Sequence, residues 1–223
     1  MNKKHLFAFL EDQDSPTLLR FLGAAYEAMN TDQRHAVFGR TLKKTKPPPV
    51  HGQSLLKEVK QFQRDSLAGK YYAPFDINSK NYTHIPEETN AWFERMGDLL
   101  AGSVRLSQQG DHVHAVACFR ILYELVEAME SGQEIVFADE CGDWMIPGEP
   151  KPTIAAYLTS LAASATPEEY AAAAIPFIRE DSLRSSSHKT YDTAIRTANK
   201  TQKAHLKSEV QRLKIPTKPR SRT

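Results

Sequence analysis

Apolar side chains recur along most of this chain at the 3.6-residue period of an amphipathic helix, and polar or proline-rich breaks divide them into segments. The first begins at Ser15, a capping residue, with Pro16 in the first turn and Leu18, Leu19, Leu22, Ala25, Tyr26 and Met29 along one face. A short helix is expected next, capped by Thr31 or Asp32, burying Val37 and Phe38 and ending near Gly39. The run KKTKPPPV then interrupts the pattern. Its consecutive prolines lack backbone donors and favour extended chain, as in a linker or an exposed arm. Helix resumes at Ser54 with Leu55, Leu56, Val59, Phe62 and Leu67, and closes near Gly69.

Pro86 and Glu87 open the best-patterned region, in which Trp92, Phe93, Met96, Leu99, Leu100 and Val104 form one stripe. After SQQGD a second helix presents Val113, Val116, Phe119, Ile121, Leu122, Leu125, Val126 and Met129. So short a connection predicts an antiparallel pair at the centre of the core, since neither helix can bury its stripe alone. In EIVFADECGDWMIP the period shifts toward extended chain, and a short β-hairpin is expected at about 134–146. Helix returns from Thr153 to Ala165. Thr166, Pro167 and Glu169 then form a capping box opening a helix that Pro176 interrupts or bends. From about 186 to 214 one or two helices carry Tyr191, Ile195, Leu206, Val210 and Leu213, and IPTKPRSRT beyond them reads as a disordered basic tail.

These elements predict an all-α fold of stacked antiparallel helical hairpins, either solenoid-like or an irregular bundle. The expected division is N-terminal helices at 1–43, a Pro-rich linker at 44–50, a main helical domain at 51–214 and the tail at 215–223. The helical pairs resemble stacked-helix arrays of the tetratricopeptide and HEAT type. With Gly97 at the first glycine of a tetratricopeptide unit, Phe93 and Met96 fit the large positions before it. Gln109 and Ile121 then stand where the unit takes a small residue and a proline, so no standard unit is present. From about Trp92 to Leu161 the chain also resembles helical regions of bacterial proteins that carry SWIM zinc fingers. Their Cys-x-Cys and Cys-x-His ligands are missing, so no zinc site is carried over. What the resemblance implies is a broad helical surface for a macromolecule.

Composition adds a charge split. Residues 184–223 hold eleven Lys/Arg against Asp192 and Glu209, a local +9, while the whole chain is only +2 and residues 1–183 are therefore about −7. Such asymmetry points to an electrostatic partner for the basic end: a polyanion, an acidic protein surface, or the chain's own acidic body. No apolar run reaches membrane-spanning length, and the apolar stretch that ends at Glu11 is too short for a signal peptide. With Cys118 and Cys141 as the only cysteines, a cytoplasmic location is expected.

Candidate chemistry is sparse. Asp139, Glu140 and Asp143 offer hard oxygen ligands on one turn, but without EF-hand spacing, and hairpin turns select Asp and Gly for backbone geometry in any case. His112 and His114 form the only close histidine pair, and their spacing points the two rings to different sides of a helix. Cys118 lies among apolar residues as a small core side chain. The irregular stretch from Tyr71 to Ile85 gathers Tyr72, Phe75 and Tyr82, which either contact a partner or anchor the loop. Lys189, Arg196, Lys200, Lys203, Lys207 and Arg212 would line a phosphate backbone. The expected function is non-enzymatic binding of a macromolecule, as an adaptor or subunit of a larger assembly, with a protein partner, no membrane and no cofactor. The alternatives are nucleic-acid association through the basic end and a metal-dependent enzyme using the acidic turn.

Overall fold

The computed structural model describes residues 2–29, 33–34, 36–38, 49–81, 84–137, 142–184 and 189–217, except for the side chains of 182–184. The fold is all-α, and the described residues contain no β-sheet. Two compact units divide the chain, Met1–Pro48 and Pro49–Thr223. In the first, α1 (Lys3–Glu11) and α2 (Ser15–Glu27) are joined by a short turn. Asn2 caps α1. Asp14, not Ser15, caps α2 by accepting from the Thr17 N–H at 2.9 Å, which moves Ser15 and Pro16 into the first turn. Thr31, Asp32, Gly39 and residues 43–48 of the KKTKPPP run lie outside the described residues. Val37 is exposed where burial was expected, while Phe38 packs its ring on Tyr26 at 5.8 Å.

The second unit comprises α3 (Gly52–Leu67), α4 (Glu87–Gln109), α5 (His112–Glu130), α6 (Pro150–Ser164), α7 (Pro167–Arg184), α8 (Lys189–Thr197) and α9 (Lys200–Arg212). Its principal contacts run from each helix to the next or the next but one: α3 on α4 and α5, α4 on α5 and α6, α5 on α6, α6 on α7 and α8, α7 on α8 and α9. The expected central pair, α4 and α5, is present. Gly110 adopts a left-handed φ of 84°, closing α4 with bonds from Gly110 N to Ser107 O and from Asp111 N to Leu106 O. Asp111 at once caps α5, so two residues reverse the chain.

Buried residues follow the helical period with two changes of phase. On α3 the buried positions are Leu55, Val59, Phe62 and Ser66, which leaves Leu67 60% exposed. On α5 they are Ala115, Val116, Cys118, Phe119, Leu122, Leu125 and Met129, which turns Val113 outward. Trp92 fills the centre, its indole N–H donating to Ser66 Oγ at 3.0 Å. The packed region runs on through Ile215, which is buried and donates its N–H to Val210 O at 3.1 Å.

Among the described residues of the β-hairpin expected at 134–146, no strand pair forms. Val136 makes an isolated parallel bridge to Tyr71, and Asp143–Met145 is a single 3-10 turn. The physical reason is the aromatic loop: Phe137 is held by the Tyr72 and Phe75 rings, and its carbonyl accepts from Thr89 Oγ1 at 2.7 Å, so this segment pairs with neighbours other than 143–146. Pro176 does not end α7, which continues to Arg184. The capping box of Thr166 and Glu169 forms, with reciprocal bonds of 3.0 and 3.2 Å. A second one opens α9, where Asn199 and Gln202 exchange bonds of 2.9 Å. Gln202 is buried, and its amide N–H also reaches the carbonyls of Ala162 and Ala165 at the end of α6.

Candidate functional site

Where α5, α6 and α7 meet they leave an open cleft of about 870 Å³, lined from each helix at helical spacing. From α5 come Arg120, Tyr123, Glu124, Glu127 and Glu130. From α6 come Lys151, Ile154 and Tyr157, and from α7 Glu169, Ala173, Pro176, Phe177 and Glu180. The segment Ile146–Glu149 and Asp143 form one rim.

Its floor is aromatic. The rings of Tyr123 and Phe177 meet edge to face at 4.7 Å, and Tyr123 stacks on Tyr157 at 5.6 Å. Burial raises the Tyr123 phenol well above its ordinary value of 10.0, helped by Tyr157 and Glu180. Tyr157 shifts the same way because burial outweighs the Arg120 guanidinium beside it. Among the described residues that line the cleft, eight are carboxylates and two, Arg120 and Lys151, are cations. Carboxylate oxygens of Glu130, Asp143 and Glu180 lie within 4.8 Å of one another. Pro176 has no N–H to offer the Ala172 carbonyl one turn earlier, and both residues line the cleft. The walls are therefore rich in hydrogen-bond acceptors and π faces, which suits a cationic, donor-rich ligand.

The residues singled out from sequence are dispersed. Asp143 lies in the cleft, whereas Asp139 and Glu140 are outside the described residues, as are Tyr82 and Cys141. Tyr72 and Phe75 pack on Phe137 at 6.2 and 5.4 Å, as anchors of their loop. The basic residues do not share one helix, because Ala198 and Asn199 separate Lys189 and Arg196 on α8 from Lys200, Lys203, Lys207 and Arg212 on α9. Arg212 is held by Glu209 at 2.6 Å, and this pairing keeps the Glu209 carboxyl below its ordinary value. The two histidines do part: His112 Nδ1 lies 3.3 Å from Ser160 Oγ and His114 Nδ1 2.8 Å from Asp111 Oδ1.

Sequence reading assigned Tyr123, Tyr157 and Phe177 no role and passed over the acidic wall. A signal existed: Glu124, Glu127 and Glu130 recur every third residue with no Lys or Arg among them, a like-charge row that weakens an isolated helix.

Burial also pushes the Cys118 thiol from 9.0 up to about 11, against the opposing hydrogen bond to Ser103, and Tyr170 shifts upward as well. These raised values make the folded state bind protons that the unfolded chain releases. Their stabilisation is complete below the ordinary values and is lost as pH climbs through the folded ones. Stability is therefore expected to fall from about pH 9 upward, read as a declining urea midpoint. A midpoint constant to about pH 11 contradicts this.

No helix among the described residues is long and apolar enough to cross a membrane. No protein-family model, curated protein or solved structure matches this chain.

Proposed function

We propose that this protein is a non-enzymatic binding module, a cytoplasmic adaptor or subunit of a larger assembly, and that its cleft takes a Lys/Arg-rich segment of a protein partner. The observation that carries this reading is the pairing of an aromatic floor with eight carboxylates in one cleft. Aromatic faces attract ammonium and guanidinium groups by about 0.5–2 kcal/mol each, and carboxylates bind guanidinium in bidentate fashion. Negative potential focused in a concave site also speeds encounter with a cationic partner.

The test is fluorescence anisotropy with a labelled peptide of alternating Arg and Lys, and an Asp/Glu peptide as control. The basic peptide is expected to bind, more weakly as salt rises, and the acidic one not at all. Glu124→Gln with Glu127→Gln should weaken binding about tenfold and flatten the salt dependence. Phe177→Ala should weaken it while leaving that dependence intact, since a ring face carries no net charge. Equal affinity for both peptides, or variants that bind like the parent, would refute the reading. Preference for a nucleic-acid duplex lost on replacing Lys200, Lys203 and Lys207 would move the function to the α9 face.

A further inference from the structure

The Met1–Pro48 unit has a shortage of its own. Neither α1 nor α2 buries a single residue, although the pair carries Phe7, Phe9, Leu19, Phe21, Leu22 and Tyr26. Phe9 and Phe21 meet edge to face at 6.0 Å, which accounts for the contact between the helices. On α2, Leu19, Leu22 and Tyr26 recur at spacings of three and four and are 68%, 51% and 43% exposed; Phe38 and Arg34 pack on the Tyr26 ring, and Leu19 and Leu22 form the exposed part of the stripe. The described residues of this small unit form no interior, so it gains little from folding alone and needs another surface.

Charge on α1 indicates which surface. Lys3 and Lys4 occupy its first turn, while Glu11 and Asp12 stand together at its end. Each set sits at the end that the helix dipole disfavours. A second copy running antiparallel brings Lys3 and Lys4 of one chain against Glu11 and Asp12 of the other, twice by symmetry, and cancels both misplacements. Two such hairpins joined along their apolar stripes make an antiparallel four-helix bundle.

We infer that the α1–α2 hairpin is a self-association element, and that its apolar face is covered by the same hairpin of a second copy of this chain in an antiparallel two-fold arrangement. The inference is independent of the cleft.

Sedimentation velocity of the full chain tests it. A dimer is expected at micromolar concentration. Leu19→Glu with Leu22→Glu should yield monomer. Because unfolding of the hairpin by that pair of changes would give the same result, charge exchange supplies the decisive arm. Lys3→Glu with Lys4→Glu, or Glu11→Lys with Asp12→Lys, should each weaken the dimer about tenfold or more. All four changes in one chain should restore it, a recovery that misfolding cannot produce. A monomeric parent chain, which would mean that another surface covers the face, overturns the proposal. So does a dimer insensitive to either charge reversal, or a fourfold variant that stays monomeric.

Discussion

Trp92→Ala is expected to remove about 3–5 kcal/mol from the stability of the Pro49–Thr223 unit. Trp92 is fully buried, with its ring 5.7 Å from Phe62 on α3 and 5.1 Å from Phe93 on α4. Truncation opens a cavity that the helices cannot readily close, because the neighbouring Phe62 and Phe93 are themselves buried in the packed core. It also strips the buried Ser66 hydroxyl of its indole partner. Trp92→Phe keeps most of the volume and loses only the hydrogen bond, so its cost should be about 1–3 kcal/mol. Urea unfolding followed by circular dichroism measures both. Equal losses for the two variants would mean that the hydrogen bond, not the packing, is what Trp92 contributes.

Gly52→Ala is the second large effect, and its direction opposes helix propensity. Alanine is the better helix former by up to about 1 kcal/mol, so a bare propensity argument predicts stabilisation. Here the added Cβ would overlap the Asp111 carboxylate and lie 2.6 Å from the His114 ring. Neither neighbour can step aside without loss. Asp111 caps α5 by accepting from the His114 N–H, and the same carboxylate holds His114 Nδ1 at 2.8 Å. The expected net loss is about 1–3 kcal/mol, with faster amide exchange in the first turn of α5. An unchanged urea midpoint would show that the α3–α5 contact is looser than the distances indicate.

These two residues also show what sequence carried and what it did not. Trp92 announced itself through the strong apolar stripe of α4, as did the Thr166 capping box, because periodicity and caps are local. The role of Gly52 depends on a helix about sixty residues away, so Ser54 was the expected start and the glycine passed unread. Leu67 and Val113 failed for a related reason: both are apolar, but the phase of their helices is set by neighbours, which chose Ser66 and Ala115 instead. α1 gave too short a run to register as a helix. The cleft was only partly legible. Its carboxylates resemble any solvated helix face until three helices bring them around the same rings, and no single segment holds both halves of that arrangement. The basic end was legible as charge, but the break at Ala198 and Asn199 that divides it between two helices was not.

Gln202 caps the first turn of α9 with its side-chain oxygen, and with its amide N–H it reaches carbonyls at the end of an earlier helix. More generally, each helix from α3 onward finds its main neighbours among those already synthesised or about to follow. Such a chain can acquire its tertiary contacts in the order in which it leaves the ribosome, with little surface waiting for a distant mate and few opportunities for mispairing along the way.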